Sequence, residues 1–542
     1  MIFQSSTVLV LLLVLALTPS VSNAFQKNGN TIPVKTSDVP MPIKWPIVGT
    51  LPDFLSRGGV DGMADVHESM YKEYGPVYRM SLLGNDEMIF SDPRVFDQIL
   101  RNEGKFPVGG AEVVMTFRDY YEENGMDFAL ASVGRGPQWK TWRQSVNADM
   151  YVLWDSYLPI IADTCAKISK VAGKEVVSNK VHITDFLSRA AFDMFSAVLY
   201  GESPETTDSK KATSEDIEFV KATKRAFDIT GNLISNPLEK IFGGEQYKDF
   251  VVNMDKTNDI ASARGKQKIK EVTEKNKKSD ETGSGCPITT IQNTLSLSNT
   301  NPSYVERLMN RGKLSEHQIT QVQSPLLMAG VDTTAYAMSW FYLNLASNPH
   351  VQTKLAKELK EKLGGEDITT VEQMQSLTYL KASFRESHRL TPVAPISIKT
   401  LEKDINVQSM DDKTYTVHAG QRISLNLRAL PIDPKYVTNP QDFMPERFSK
   451  EEVEARKGTM SEIALDHPYF NDPFGRGKRR CMGANVAIAE MTALAARLLQ
   501  DWEIVLVDPS ESIHSPTKSW SSKQKLMLIA DPYPAMKLMP RN

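Results

Sequence analysis

The sequence predicts a mainly α-helical fold with small β-sheets, and three patterns predict it. Residues 315–346 form one long helical pattern, opened by Ser315 and Gln318 as a capping box. Residues 484–499 form an Ala-rich amphipathic stretch at helical spacing. Strand-like alternation is short by comparison: residues 77–82 and 87–91 flank Gly84–Asn85 as a hairpin, and helical patterns dominate after it.

Composition sets broad limits. The 542 residues are 41% hydrophobic and 24% charged, enough for a large core. A formal net charge of −3 gives no reason to expect nucleic-acid binding. Three cysteines (Cys165, Cys286, Cys481) are too few and too scattered for a disulfide framework or a zinc site. Cys165 lies in a helical pattern and Cys286 in a polar loop.

From the N-terminus, residues 8–17 are an apolar run shorter than the ~20 residues that span a bilayer. With the small residues 20–24 they read as a signal-peptide-like leader over residues 1–24, although no Lys or Arg precedes the run. Residues 25–45 read as a Pro-rich linker or transit-like segment. Phe25 and the scarcity of acids suit a secondary-plastid leader; an ER signal or short anchor is the other reading, and peripheral membrane contact is one expectation. Residues 46–542 are expected to form one catalytic domain. The polar segments 204–216 and 276–303 read as mobile surface loops. Pro325 falls inside the long helix, where it removes a backbone bond and predicts a kink or strain.

Chemistry concentrates in residues 474–483, FGRGKRRCMG. One thiol, Cys481, stands between glycines, beside Arg476, Lys478, Arg479 and Arg480, at the start of a helical pattern. Helix dipole and local positive charge bias such a thiol towards thiolate, which ligates metals. A free cysteine in a basic loop is the other reading of these ten residues taken alone.

Phe474, Gly477, Arg479, Cys481 and Gly483 spell F-x-x-G-x-R-x-C-x-G. Upstream stand AGVDTT (329–334), Glu386 and Arg389 in ESHR, and PERF (445–448). Together these resemble the cytochrome P-450 family from about Trp45 onwards. The resemblance implies a single large helical domain around a buried heme b, with Cys481 as the axial iron ligand. Such a thiolate favours O–O cleavage. It implies that Asp332 and Thr333 manage protons, and that Ala329 and Gly330 keep the helix narrow for dioxygen. Thr333 and Thr334 as ordinary residues bonded back to the helix are the alternative. Glu386, Arg389 and Arg447 become a structural ion cluster.

For the heme propionates the resemblance nominates Arg479, then Trp139 and Arg143 (WKTWR), and Lys399 where an arginine often sits. Arg476, Lys478 and Arg480 are expected to face the surface that receives electrons. No flavin or iron–sulfur motif is present, so electrons come from elsewhere, and the resemblance implies a ferredoxin or a flavin reductase as the donor. EGKFP (103–107), TFRDYYEENG (116–125), residues 139–147 and the stretch from GVDTT to Trp340 resemble the mitochondrial-type clan; ANVA after Gly483 and the leader depart from it.

The implied reaction is monooxygenation of a lipophilic substrate (sterol, isoprenoid or fatty-acid-like) with dioxygen. The alternatives are a heme-thiolate isomerase or dehydratase acting on a peroxide, against which Thr333 speaks, and a heme-binding sensor. Val113, Val114, Met115, Phe227, Leu327, Ile396, Leu528 and Ile529 are candidates for an apolar pocket.

Overall fold

A computed structural model describes residues 33–109, 115–126, 136–177, 182–235, 238–281, 301–524 and 527–541. The leader, the first part of the linker and most of the polar segment 276–303, Cys286 included, lie outside them. Among the described residues no helix is long and apolar enough to cross a membrane.

Eight helices position the site: α1 (Gly136–Tyr151), α2 (Leu158–Val177), α3 (Ile183–Tyr200), α4 (Ser214–Ser235), α5 (Glu245–Glu281), α6 (Glu316–Ala346), α7 (Thr378–Leu390) and α8 (Ala484–Asp501). Helix α3 is buried on almost every side, as an all-round apolar helix must be. Helix α6 is the central element and packs against α3, α4, α5, α7 and α8. Its capping box forms as predicted, with Ser315 Oγ accepting from Gln318 N and the Gln318 side chain accepting from Ser315 N. The predicted end at Ala346 also holds, and the helix continues through Pro325 without interruption.

The main sheet has five strands in the order β1-β2-β7-β4-β3. These are β1 (Val77–Leu82), β2 (Asn85–Phe90), β3 (Val108–Gly109), β4 (Ile396–Thr400) and β7 (Arg422–Asn426); β5 (Ile405–Gln408) and β6 (Thr414–Val417) form a separate ribbon. Within the main sheet β2 and β7 pair in parallel and the other neighbours antiparallel. The hairpin is real, but its turn falls at Leu83–Gly84, both at positive φ, so β2 begins two residues earlier than predicted. Phe90, Ile423, Leu425 and Tyr415 form a second core on one side of this sheet.

One expectation fails. Residues 204–216 are not a loose polar loop, because Asp193 on buried α3 anchors them. Its carboxylate accepts from the backbone N–H and hydroxyl of both Thr206 and Thr207, at 2.7–3.0 Å. Both threonines are buried, and residues 214–216 already belong to α4.

Candidate active site

A cavity of about 1020 Å³ lies among α6, α7, the sheet and the loop around Cys481. Helix α6 lines it with Leu326, Ala329, Gly330, Thr333 and Ala337, which share one face by helical spacing. Cys481 closes its loop by donating its backbone N–H to the Phe474 carbonyl, 2.9 Å away. Gly477 turns the loop at φ 79°, and a Cβ there would meet Glu103 Oε1 at 2.7 Å.

Cys481 lines the cavity and is exposed to it. Burial pushes its thiol up, while the Gly483 N–H and the charges of Arg143 and Arg480 pull it towards thiolate, the direction expected from the sequence.

Arg479, Arg143 and Lys399 all line this cavity. Arg479 lies flat on the Trp139 ring, 3.8 Å from its centre, and donates through Nε to the Pro107 carbonyl at 3.0 Å. Arg143 donates to the Arg480 carbonyl. Lys399 is buried with Glu103, Nζ to Oε2 3.7 Å, and burial lowers its pKa against that charge. Trp139 Nε1 is buried with no acceptor among the described residues. A thiol on the wall, three convergent cations and one orphaned donor fit an iron porphyrin with two carboxylates.

The other basic residues do not form the expected open patch. Arg476 lines the cavity, and Arg480 pairs with Asp472 at 3.0 Å. Lys478 is exposed and donates to the Gly104 carbonyl.

On α6 the two adjacent candidates point apart. Thr333 faces the cavity, its hydroxyl donating to the Ala329 carbonyl at 2.6 Å. Asp332 is fully buried off the cavity wall, and neither carboxylate oxygen has a hydrogen-bond partner among the described residues. Burial pushes it up to about 8, with Lys224 on α4 opposing and Asp228 adding. Gly330 lines the cavity, and packing also requires it to be small: a Cβ there would lie 2.7 Å from the Phe195 ring.

Glu386 joins the expected cluster. It accepts from Arg389 Nε and Nη2 at 2.7 and 2.8 Å and from Arg447 Nε at 3.1 Å. Arg389 also donates to the carbonyls of Pro431, Pro440 and Asp442, tying α7 to the segment ahead of the cysteine loop.

Of the candidate pocket residues, Phe227 and Ile396 line the cavity, whereas Leu327 and Leu528 are core. Val113 and Val114 lie outside the described residues. Two residues at the site escaped the sequence reading. Glu103, behind the cavity wall, holds Lys399 and accepts from Lys478 N at 2.8 Å; its only signal is its place in EGKFP. His388, inside ESHR, lines the cavity and is held neutral by burial, its pKa lowered to about 4.

Comparison with known proteins agrees with this geometry. The family model for cytochrome P450 matches residues 39–533. Mouse 1,25-dihydroxyvitamin D(3) 24-hydroxylase, mitochondrial, is 23% identical, covering 88% of this chain and 86% of its own. Rat sterol 26-hydroxylase, mitochondrial, is 22% identical (83% and 80%), and 2-hydroxyisoflavanone synthase of Glycyrrhiza echinata 24% (82% and 80%). Similar identity to enzymes with such different names leaves the substrate open. The family is not open: this chain belongs to the cytochrome P450 family and is a heme b-dependent oxidoreductase of the monooxygenase type.

Proposed function

We propose that the enzyme inserts one oxygen atom into a C–H or C=C bond of a lipophilic substrate, with Cys481 holding the heme iron. The observation that carries this is one mostly apolar cavity with both Cys481 and Thr333 in its wall. The bound heme supplies the redox-active iron at which dioxygen reacts.

The chain's residues do the rest. Arg479, Arg143 and Lys399 neutralise the heme carboxylates, and Trp139 donates its indole N–H to one of them. Thr333 offers a hydroxyl that exchanges the Ala329 carbonyl for an oxygen in the cavity. Asp332, pushed up to about 8, keeps a proton at neutral pH behind the same turn of helix. Lys224, whose charge acts on this acid, forms a partly exposed ion pair with Asp185 at 2.9 Å, a link from Asp332 towards solvent. Electrons come from a separate ferredoxin-type protein, which meets exposed Lys478 beside the cysteine loop. Residues 46–542 are the catalytic domain, and residues 1–24 a leader.

The test is the carbon monoxide difference spectrum of the dithionite-reduced protein. The far red-shifted Soret band of a thiolate-ligated heme is expected, and Cys481→Ser should abolish it. Bound heme without that band would remove Cys481 as the ligand and end the proposed roles around it.

A further inference from the structure

Apart from the cations around the cysteine loop and the polar groups of α6 and α7, the cavity carries one further charged pair, Glu87 and Arg422 on the main sheet, which is neutral overall. Paired residues share a sheet face: Glu87 pairs with Arg422, Arg422 with Thr400, and Ser424 with Ile398. Glu87, Arg422, Ser424 and Ile398 therefore stand together on one face, and all four line the cavity. The opposite face carries Met88, Ile423 and Leu425 into the second core. Lys399 follows Ile398 on β4, pairs with Glu103 and still reaches the cavity wall.

Arg422 Nε lies 3.2 Å from Glu87 Oε1, close enough for an ion pair but not aligned as a hydrogen bond. The Arg422 side chain is part-exposed and lines the cavity, and its terminal N–H groups have no hydrogen-bond acceptor among the described residues. Glu87 accepts from the Ser424 hydroxyl at one oxygen and takes no hydrogen bond from the described residues at the other. His67 also faces this pair, 2.7 Å from the Tyr78 hydroxyl, and burial keeps it uncharged. The two formal charges cancel, leaving a donor beside an acceptor. Phe54, Met80, Leu82, Ile396 and Leu427 add hydrocarbon to the same cavity wall.

We infer that Arg422 and Glu87 form a head-group subsite selecting an uncharged lipophile with a hydroxyl, which accepts from Arg422 and donates to Glu87. A carboxylate would gain Arg422 but meet the charge of Glu87 at contact distance, in surroundings too apolar to screen it. The inference rests on the reading that this cavity takes the substrate, and it names the substrate's polar end.

Isothermal titration calorimetry of the heme-loaded full-length protein tests it with two probes of equal chain length, 1-dodecanol and dodecanoate. The alcohol is expected to bind roughly tenfold tighter. Glu87→Gln leaves Arg422 uncompensated and should remove or reverse that preference by strengthening dodecanoate. Arg422→Ala should do the opposite, weakening dodecanoate below detection and the alcohol about fivefold. The two variants act independently, so one suffices if the other fails to fold. Equal or tighter binding of dodecanoate to the natural protein, an unchanged preference in a folded variant, or no binding of either probe would overturn the subsite. The carbon monoxide spectrum judges the heme-thiolate reading separately, so each fails by its own measurement.

Discussion

Replacing Asp332 by asparagine tests the central helix most directly, because the buried acid makes opposite demands on stability and on turnover. Asp332 is fully buried, has no hydrogen-bond partner among the described residues and is pushed up to about 8. In the unfolded chain an aspartate titrates near ~3.9. The folded state therefore binds the proton more tightly. The associated stability is fully present below about pH 4 and is lost as pH rises towards about 8. At ~1.36 kcal/mol per unit, three units to pH 7 make the loss about 4 kcal/mol, levelling off near 5–6 kcal/mol above pH 8. An asparagine side chain has nearly the same shape and no charge to desolvate, so the variant avoids this loss.

Urea denaturation of both proteins between pH 4.5 and 8.5 should show a stability gain for Asp332→Asn that is small at the acid end and several kcal/mol at the other. If Asp332 delivers protons, the same variant should lose product formation by roughly 10²-fold, with its carbon monoxide band intact. Stability curves that run parallel across this pH range would refute the buried, unpartnered acid. A full gain in stability with unchanged turnover would leave the burial standing and remove the proton-transfer role.

Two further outcomes are expected. Trp139→Phe keeps a ring beneath Arg479 but deletes the orphaned N–H; the heme-free protein should gain about 1–2 kcal/mol in denaturation, while heme transfer to apomyoglobin becomes faster. No change in transfer rate would mean that the indole does not touch the cofactor. Glu386→Gln removes the counter-charge from two buried guanidiniums and should cost about 3–5 kcal/mol by the same denaturation assay; a loss near zero would show that the arginines' backbone contacts hold the segment alone.

Features set by local geometry were legible in the sequence. A capping box and a helix end depend on neighbours three or four residues away, and α6 follows both. The cysteine loop is closed within itself by the Cys481 N–H to Phe474 carbonyl bond and turned by its own glycines, so its pattern survives in one dimension, while its contacts with Glu103, Gly104, Pro107 and Arg143 do not. Glu386 and Arg389 were legible for the same reason, being one helical turn apart. What escaped depends on the other side of each contact. Asp193 pins Thr206 and Thr207 from a different helix, and composition alone reads two threonines in a polar stretch as solvated. Glu103 and Lys399 meet across almost three hundred residues.

The same distinction bears on the chemistry at two places. The sequence shows charges but not the solvent they displace. The cations near Cys481 pull its thiol towards thiolate as the sequence leads one to expect, and the burial that opposes them is visible only in the fold. Asp332 and Thr333 are adjacent in the chain, but successive helix residues are turned by ~100°. Only packing against α4 decides which of them meets the cavity, and it chose the hydroxyl. Asp332 and Thr333 are therefore two groups on different faces of the helix. Asparagine at position 332 removes the buried proton and leaves the cavity-facing hydroxyl in place, and for that reason it should impair turnover without disturbing the heme.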